Sequence, residues 1–257
     1  MGFDATAAFA KTHRARTLLE ELKRGRQDLV ENGNFLRADV TRDGREVSAR
    51  FRMLAPLPSY LPCIVGDIAH NLRSALDHLV TVAIERNGNN ITSRTQFPVT
   101  SSMDQFNRVV SSQLAGASPQ FIDFVERAQP YHSPDPTLHP LHAINRLDIA
   151  DKHRQLLAAA MIPAFVEFEI EGPKRAFERA AIPDAVRFPL VDGVELFRFT
   201  LGYGYEVVRP GFRLALGFDF ALVEEPPIHG QPIVQMLYGL LPAVEEHVLY
   251  AAEQQLS

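Results

Sequence analysis

The stretch GDIAHNLRSALDHL, residues 66–79, has the spacing of an amphipathic helix with an unusual polar face. Ile64, Val65, Ile68, Leu72, Ala75, Leu76, Leu79 and Val80 recur at helical intervals and form one apolar side. At about 100° per residue, Asp67, His70, Asn71, Ser74, Asp77, His78 and Thr81 share an arc of about 120°, with Arg73 at its edge. A solvated face ordinarily carries long, flexible Lys, Glu and Gln, and this arc has none. Short polar side chains hold fixed geometry at low entropic cost, as an internal network or a site requires. Pro56, Pro58 and Pro62 before the stretch and NGNN after it predict a helix from Pro62 to Arg86.

On the N-terminal side, residues 5–31 read as a helix built on Leu18, Leu19, Leu22, Leu29 and Val30 and stopped by ENGN. Asp43-Gly44 lies between two strand-like runs in FLRADVTRDGREVSARFRML, which predicts a β-hairpin. On the C-terminal side, MDQFNRVVSSQL and SPQFIDFVERAQ read as short helices, and proline-rich PYHSPDPTLHP as ordered loop. A second polar-rich helix follows, LHAINRLDIADKHRQLLAAA, residues 141–160. Its apolar residues Leu141, Ile144, Leu147, Ile149, Leu156 and Leu157 are spread widely, as in a helix buried on several sides.

From Pro163 the period changes. FVEFEIEG alternates Val166, Phe168 and Ile170 with Glu167, Glu169 and Glu171, the pattern of a half-buried strand with a solvated acidic face. DAVRFPLVDG, VELFRFTLG, YEVVRPGFRLALGFDF and ALVEE read as further strands. QPIVQMLYGLLPAVEEHVLYAAEQQL returns to helix, with a kink expected at Pro242. Strands follow strands, so the expected class is α+β: a helical bundle core, an N-terminal β-hairpin, a C-terminal antiparallel sheet and a closing helix. We expect a single domain over 1–257, helical to about 160, strand-rich over about 163–225, with the terminal helix over about 231–255.

Composition narrows the function classes. The 257 residues are 46% hydrophobic and 22% charged, enough for a sizeable core. The 17 phenylalanines fall mostly at core spacing and read as packing. A net charge of -5 argues against broad electrostatic binding to nucleic acid or anionic membrane. Cys63, the single cysteine, excludes an intrachain disulfide and a multi-cysteine zinc site, and it fits a reducing cytoplasm. The N-terminal MGFDATAAFAKTHRARTLLEEL does not read as a signal peptide, and no apolar run is long enough to span a bilayer. A soluble cytoplasmic protein without a membrane partner is the expectation.

The second helix carries chemistry that matches the first: His142, Asn145, Asp148, Asp151, Lys152 and His153. Five of the nine histidines lie in residues 70–78 and 139–153. If the two helices pack, a candidate site joins Asp67, His70, Asn71, Arg73, Asp77 and His78 with Asn145, Asp148, Lys152 and His153. One reading of this set is a sealed structural network in a non-catalytic binding or scaffold protein, with the strands as a partner surface. A second is a metal-dependent hydrolase or oxygenase holding a divalent transition metal, with Asp67, His70, His78, His142 and His153 as ligand candidates. His139 and His142 repeat the three-residue spacing of Asp67 and His70, although neither H-E-x-x-H nor E-x-x-H is present.

A third reading comes from Arg73 and His78, which form R-x-x-x-x-H on a helix. This resembles the motif of HEPN-type ribonucleases, small helical bundles that usually act as dimers. The resemblance implies a metal-independent endoribonuclease without cofactor, RNA as partner and a possible homodimer. It would make His78 the base and Arg73 the stabiliser of developing phosphorane charge. Asp77 or Asp148 would then orient a histidine, and Lys152 would neutralise a phosphate. More broadly, GDIAHNLRSALDHL, TQFPV, AQPYH and DIADKHR in this order resemble a group of uncharacterised bacterial proteins. That resemblance implies that the helix of residues 66–79 and DIADKHR belong to one site.

Overall fold

A computed structural model describes residues 4–31, 35–153, 158–161, 165–171, 176–181, 189–200, 202–203, 206–207, 219–223 and 228–256. The first half holds α1 (Thr6–Glu31), β1 (Leu36–Asp43), β2 (Glu46–Met53), α2 (Tyr60–Arg86), α3 (Met103–Gln113), α4 (Pro119–Arg127) and α5 (Pro140–His153). The second half holds β3 (Ala158–Met161), β4 (Phe165–Glu171), β5 (Ala176–Ala181), β6 (Glu195–Thr200), β7 (Glu206–Val207) and β8 (Asp219–Leu222). It closes with α6 (Ile233–Val244), a π-helical turn (Glu245–Tyr250) and α7 (Ala251–Leu256). The class is α+β.

The long helix α2 is the centre of the helical layer. Its apolar side, from Leu61 through Ile68, Leu72 and Leu76 to Ile84, is buried along its length. Against it pack Leu18, Leu19 and Leu22 of α1, Leu141, Ile144 and Leu147 of α5, and Leu237 and Leu241 of α6, in one continuous cluster. Burial of leucine-sized side chains at about 1.5–3 kcal/mol each makes this cluster the main source of stability. Short helices start where side chains cap them: Ser102 accepts from the Gln105 N–H, and Ser118 accepts from Phe121 ahead of an N-terminal Pro119.

Among the described residues the strands form three small antiparallel sheets, ordered β1-β2-β6, β3-β8 and β5-β4-β7. The expected hairpin is present, but Asp43 pairs with Glu46, so its two-residue turn is Gly44-Arg45. Gly44 has φ +58° and no described non-glycine residue has positive φ, the sign pattern of a type II′ turn. β6 joins the N-terminal hairpin in one sheet, while β4, β5 and β7 form a C-terminal antiparallel sheet of their own.

Two expectations need correction. The helix expected over 141–160 ends at His153, and Ala158–Met161 is instead a strand paired with Asp219–Leu222. Ladder hydrogen bonds and pairing partners supplied by a distant segment override the helix propensity of three alanines. Ala176–Ala181 is a strand that lacks a clear alternating signal. Of DAVRFPLVDG, residues 184–188 lie outside the described residues and 189–193 are not strand. Of YEVVRPGFRLALGFDF, Glu206–Val207 and the Asp219–Phe220 end are strand, and 208–218 lie outside the described residues. Pro242 sits inside α6, and the widened π turn follows three residues later, consistent with a local break in the i→i−4 ladder.

The approach of α2 to α5 sets the position of the site. The Asp151 carboxylate lies directly over Gly66, where any Cβ would collide with it. In wild type, Gly66→Ala should therefore lower the melting temperature. In an Asp151→Ala background the same change should raise stability by roughly 0.5–1 kcal/mol, the helix-propensity gain of alanine over glycine. A double-mutant cycle by denaturant unfolding measures this coupling, and additive effects would show that the contact does not constrain the helices.

Candidate functional site

Gly66, His70, Arg73 and Asp77 stand at i, i+4, i+7 and i+11, so they form one stripe down α2. Each meets a neighbour outside its own turn. Gly66 faces Asp151 of α5. His70 Nδ1 lies 3.0 Å from Asp148 Oδ1, and Lys152 Nζ donates to Asp148 Oδ2 at 2.6 Å. One carboxylate, only 4% exposed, thus holds an imidazole of the facing helix and the ammonium one turn along its own. The Ser74 hydroxyl lies 3.5 Å from the other imidazole nitrogen, Nε2.

Further down the stripe, Arg73 and Asp77 clamp the backbone of Phe97. Arg73 Nη2 donates to the Phe97 carbonyl at 2.6 Å and to Asp77 Oδ1 at 2.9 Å. The Phe97 N–H donates to the same Asp77 oxygen at 2.8 Å. Burial pushes the Asp77 carboxyl above its ordinary value, with Arg73 and the Phe97 N–H pulling the other way. The far side of this loop is held by Gln129, which accepts from the Thr100 N–H and hydroxyl and donates to the Pro98 and Val125 carbonyls. TQFPV and AQPYH are therefore joined to the α2 stripe by buried side-chain-to-backbone bonds.

Between α2, α5, this loop and α3 lies a cavity of about 400 Å³. Its polar lining includes Arg73, Asp77, Gln113, Asn145, Asp148 and Lys152, and Phe97, Val99, Val109 and Ile149 supply apolar walls. Arg73 is 6% exposed, yet its Nη1 has no hydrogen-bond partner among the described residues, and neither does the buried Oε1 of Gln113. Asp151 is pushed up first by burial and then by the charges of Asp67 and Asp148.

The structure separates the two ends of R-x-x-x-x-H. Five residues turn a helix by roughly 140° net, so Arg73 lies on the stripe that meets Phe97 while His78 does not share that stripe, and neither His70 nor His78 is among the residues lining the cavity. Asn71 turns back on its own helix and donates to the Asp67 carbonyl at 2.7 Å. The side chain of His153 lies outside the described residues. His142 stands apart from the His70–Asp148 pair, with its charge environment set by Arg146 and Asp135. Among the described residues no group of three or more His, Cys, Asp or Glu side chains could hold a metal ion, so the candidates Asp67, His70, His78 and His142 do not converge. Sequence reasoning passed over Gln113 and Gln129, whose amides carry no periodic signal, and it placed Ser74 on the arc without a partner.

An Asp–His pair in which one ring nitrogen meets a buried carboxylate leaves the other poised as a base. Ser74 beside Nε2 completes an Asp–His–Ser arrangement. Ser74 lies in mid-helix, where its own backbone N–H is committed to the helix and is not free to form an oxyanion hole. That favours proton abstraction from a bound hydroxyl over acyl transfer through Ser74. No family model, curated protein or solved structure matches the chain. No helix among the described residues is long and apolar enough to cross a membrane.

The site makes two predictions. Asp148→Ala should destabilise the protein by about 1–3 kcal/mol, the cost of stripping a buried carboxylate from two donors, and chemical denaturation measures it. His139 and His142 are both held below the ordinary histidine value of 6.5, chiefly by burial. A depressed folded value means that the unfolded chain binds more protons between the two values. The stability they contribute is complete above 6.5 and is lost as the pH falls through their folded values. Melting temperature should fall over that window, and a His139→Gln/His142→Gln variant should flatten the fall.

Proposed function

We propose that this chain is a metal-independent endoribonuclease in which His70, oriented by Asp148, is the base. The observation that carries this reading is the shared Asp148 carboxylate, which lines the cavity with Lys152, Arg73 and Asn145 and holds His70 of the facing helix beside it. When Nδ1–H donates to Asp148, the Nε2 lone pair faces outward beside the Ser74 hydroxyl. A ribose 2′-hydroxyl at that position would give its proton to Nε2 and attack the adjacent phosphorus. The P–O5′ bond breaks, a 2′,3′-cyclic phosphate forms, and the 5′ oxygen leaves with a proton returned by His70 or supplied by water. Lys152 would balance the charge that develops on the phosphoryl oxygens. Arg73 has a lesser part in this chemistry than the R-x-x-x-x-H resemblance implies, because its Nη2 is committed to Phe97 and Asp77.

A non-catalytic role for the same network rests on a specific observation as well: both oxygens of Asp148 already have partners. The two readings separate in one experiment. With single-stranded RNA in the presence of EDTA, the wild type should cleave and leave cyclic phosphate ends. His70→Ala should lose at least 100-fold in rate, of the order general-base catalysis contributes, while His78→Ala should cleave within a few-fold of wild type. No cleavage by the wild type, or equal cleavage by His70→Ala, would transfer the network to a purely structural role.

A further inference from the structure

We propose that the cavity between α2, α3 and α5 is a ribose subsite, which takes the sugar ring of the leaving nucleotide and recognises its 2′-hydroxyl. That the ring belongs to RNA rests on the ribonuclease reading, while the fit to a hydroxylated ring rests on the cavity itself. Three polar groups in its lining are open to solvent and uncommitted. Asn145 of α5 is half-buried and Gln96 of the loop is exposed. Neither carboxamide has a hydrogen-bond partner among the described residues. Asp77 is the third: Arg73 and the Phe97 N–H share its Oδ1, its Oδ2 has no partner among the described residues, and its side chain is 34% exposed.

A carboxylate oxygen only accepts, whereas each carboxamide both donates and accepts. A ring with adjacent hydroxyls matches this set, because every hydroxyl donates one hydrogen bond and accepts others. Phe97, Val99, Val109 and Ile149 provide apolar walls for the C–H faces of the ring, and a cavity of about 400 Å³ admits one ring. The lining is balanced in charge: Arg73 pairs with Asp77 at 2.9 Å, and Lys152 with Asp148 at 2.6 Å. A neutral ring therefore suits the interior. Lys152 is 48% exposed and gives one of its three N–H donors to Asp148, so the others remain for the phosphate attached to the ring. His70 does not line the cavity, so the ribose that it deprotonates lies outside, across that phosphate. The ring inside is then the one that departs through its 5′ oxygen. Its 2′-hydroxyl, donating to Asp77 Oδ2, makes a contact that DNA lacks.

Nuclear magnetic resonance titration of the isotope-labelled protein with methyl ribofuranoside tests this, with the 2-deoxy sugar and methyl glucopyranoside for comparison. The side-chain amide signals of Asn145 and Gln96 should shift with saturation for the ribofuranoside. The 2-deoxy sugar and the glucopyranoside should bind about tenfold more weakly or not at all. Asn145→Ala leaves the Phe97 clamp intact and should weaken the ribofuranoside about tenfold, the factor for one lost hydrogen bond. Val109→Phe, which fills the cavity from α3, should weaken it as well. No saturable shift, equal affinity for the 2-deoxy sugar or the glucopyranoside, or unchanged affinity in folded Asn145→Ala would overturn the subsite. Ribofuranoside binding without RNA cleavage would keep a sugar site and remove the ribonuclease reading. If RNA is cleaved, an oligonucleotide with a single deoxyribose on the leaving side should be cut with kcat/KM lowered about tenfold, and equal rates would overturn the subsite alone.

Discussion

The buried carboxylate of Asp148 is the constraint on which the α2–α5 interface depends. A carboxylate this far from solvent costs several kcal/mol unless its lone pairs are met by donors. His70 and Lys152 meet them, one from each helix. That requirement sets the register of α5 against α2, because moving either helix by one turn would separate Asp148 from His70. Gly66 permits the approach by leaving room for Asp151 one turn nearer the start of α2. Polar contacts of this kind specify an arrangement, while the apolar cluster around Ile68 and Leu72 of α2 supplies the stability.

The second half of the stripe turns a loop into a wall. A segment such as 95–100 has no ladder to satisfy its backbone, and Arg73, Asp77 and Gln129 take that role. The cavity is thus bounded by three helices and by a loop pinned from both sides, which holds its polar groups in place before a ligand arrives. The same clamp explains why Arg73 is a poor free cation. Its charge is committed to the Phe97 carbonyl and to Asp77.

Much of this was legible in the sequence where a pattern is local and periodic. The polar arc of α2, its ends, the hairpin, the short capped helices and the alternation of FVEFEIEG all follow from residue spacing over a few turns or strand repeats. The pairing of His70 with Asp148 was open to inference because both lie on polar faces with matching chemistry. The division of the arc was not: the angular arithmetic grouped His78 with His70, and packing against α5 selected only the side that carries Gly66, His70, Arg73 and Asp77. The strand at Ala158–Met161 was hidden for the same reason, since its partner, Asp219–Leu222, is about sixty residues away.

Residue order alone was enough for the α+β class, the central amphipathic helix and the residue types available for chemistry, because propensity, periodicity and capping act over short range. Which of those residues meet was settled by packing. Burial against a particular neighbour, and the need to satisfy each buried polar atom, depend on segments far apart in the chain. On that basis His70 stands with Asp148 and Lys152, Arg73 is committed to Phe97, and Gln113 faces the same cavity as Arg73.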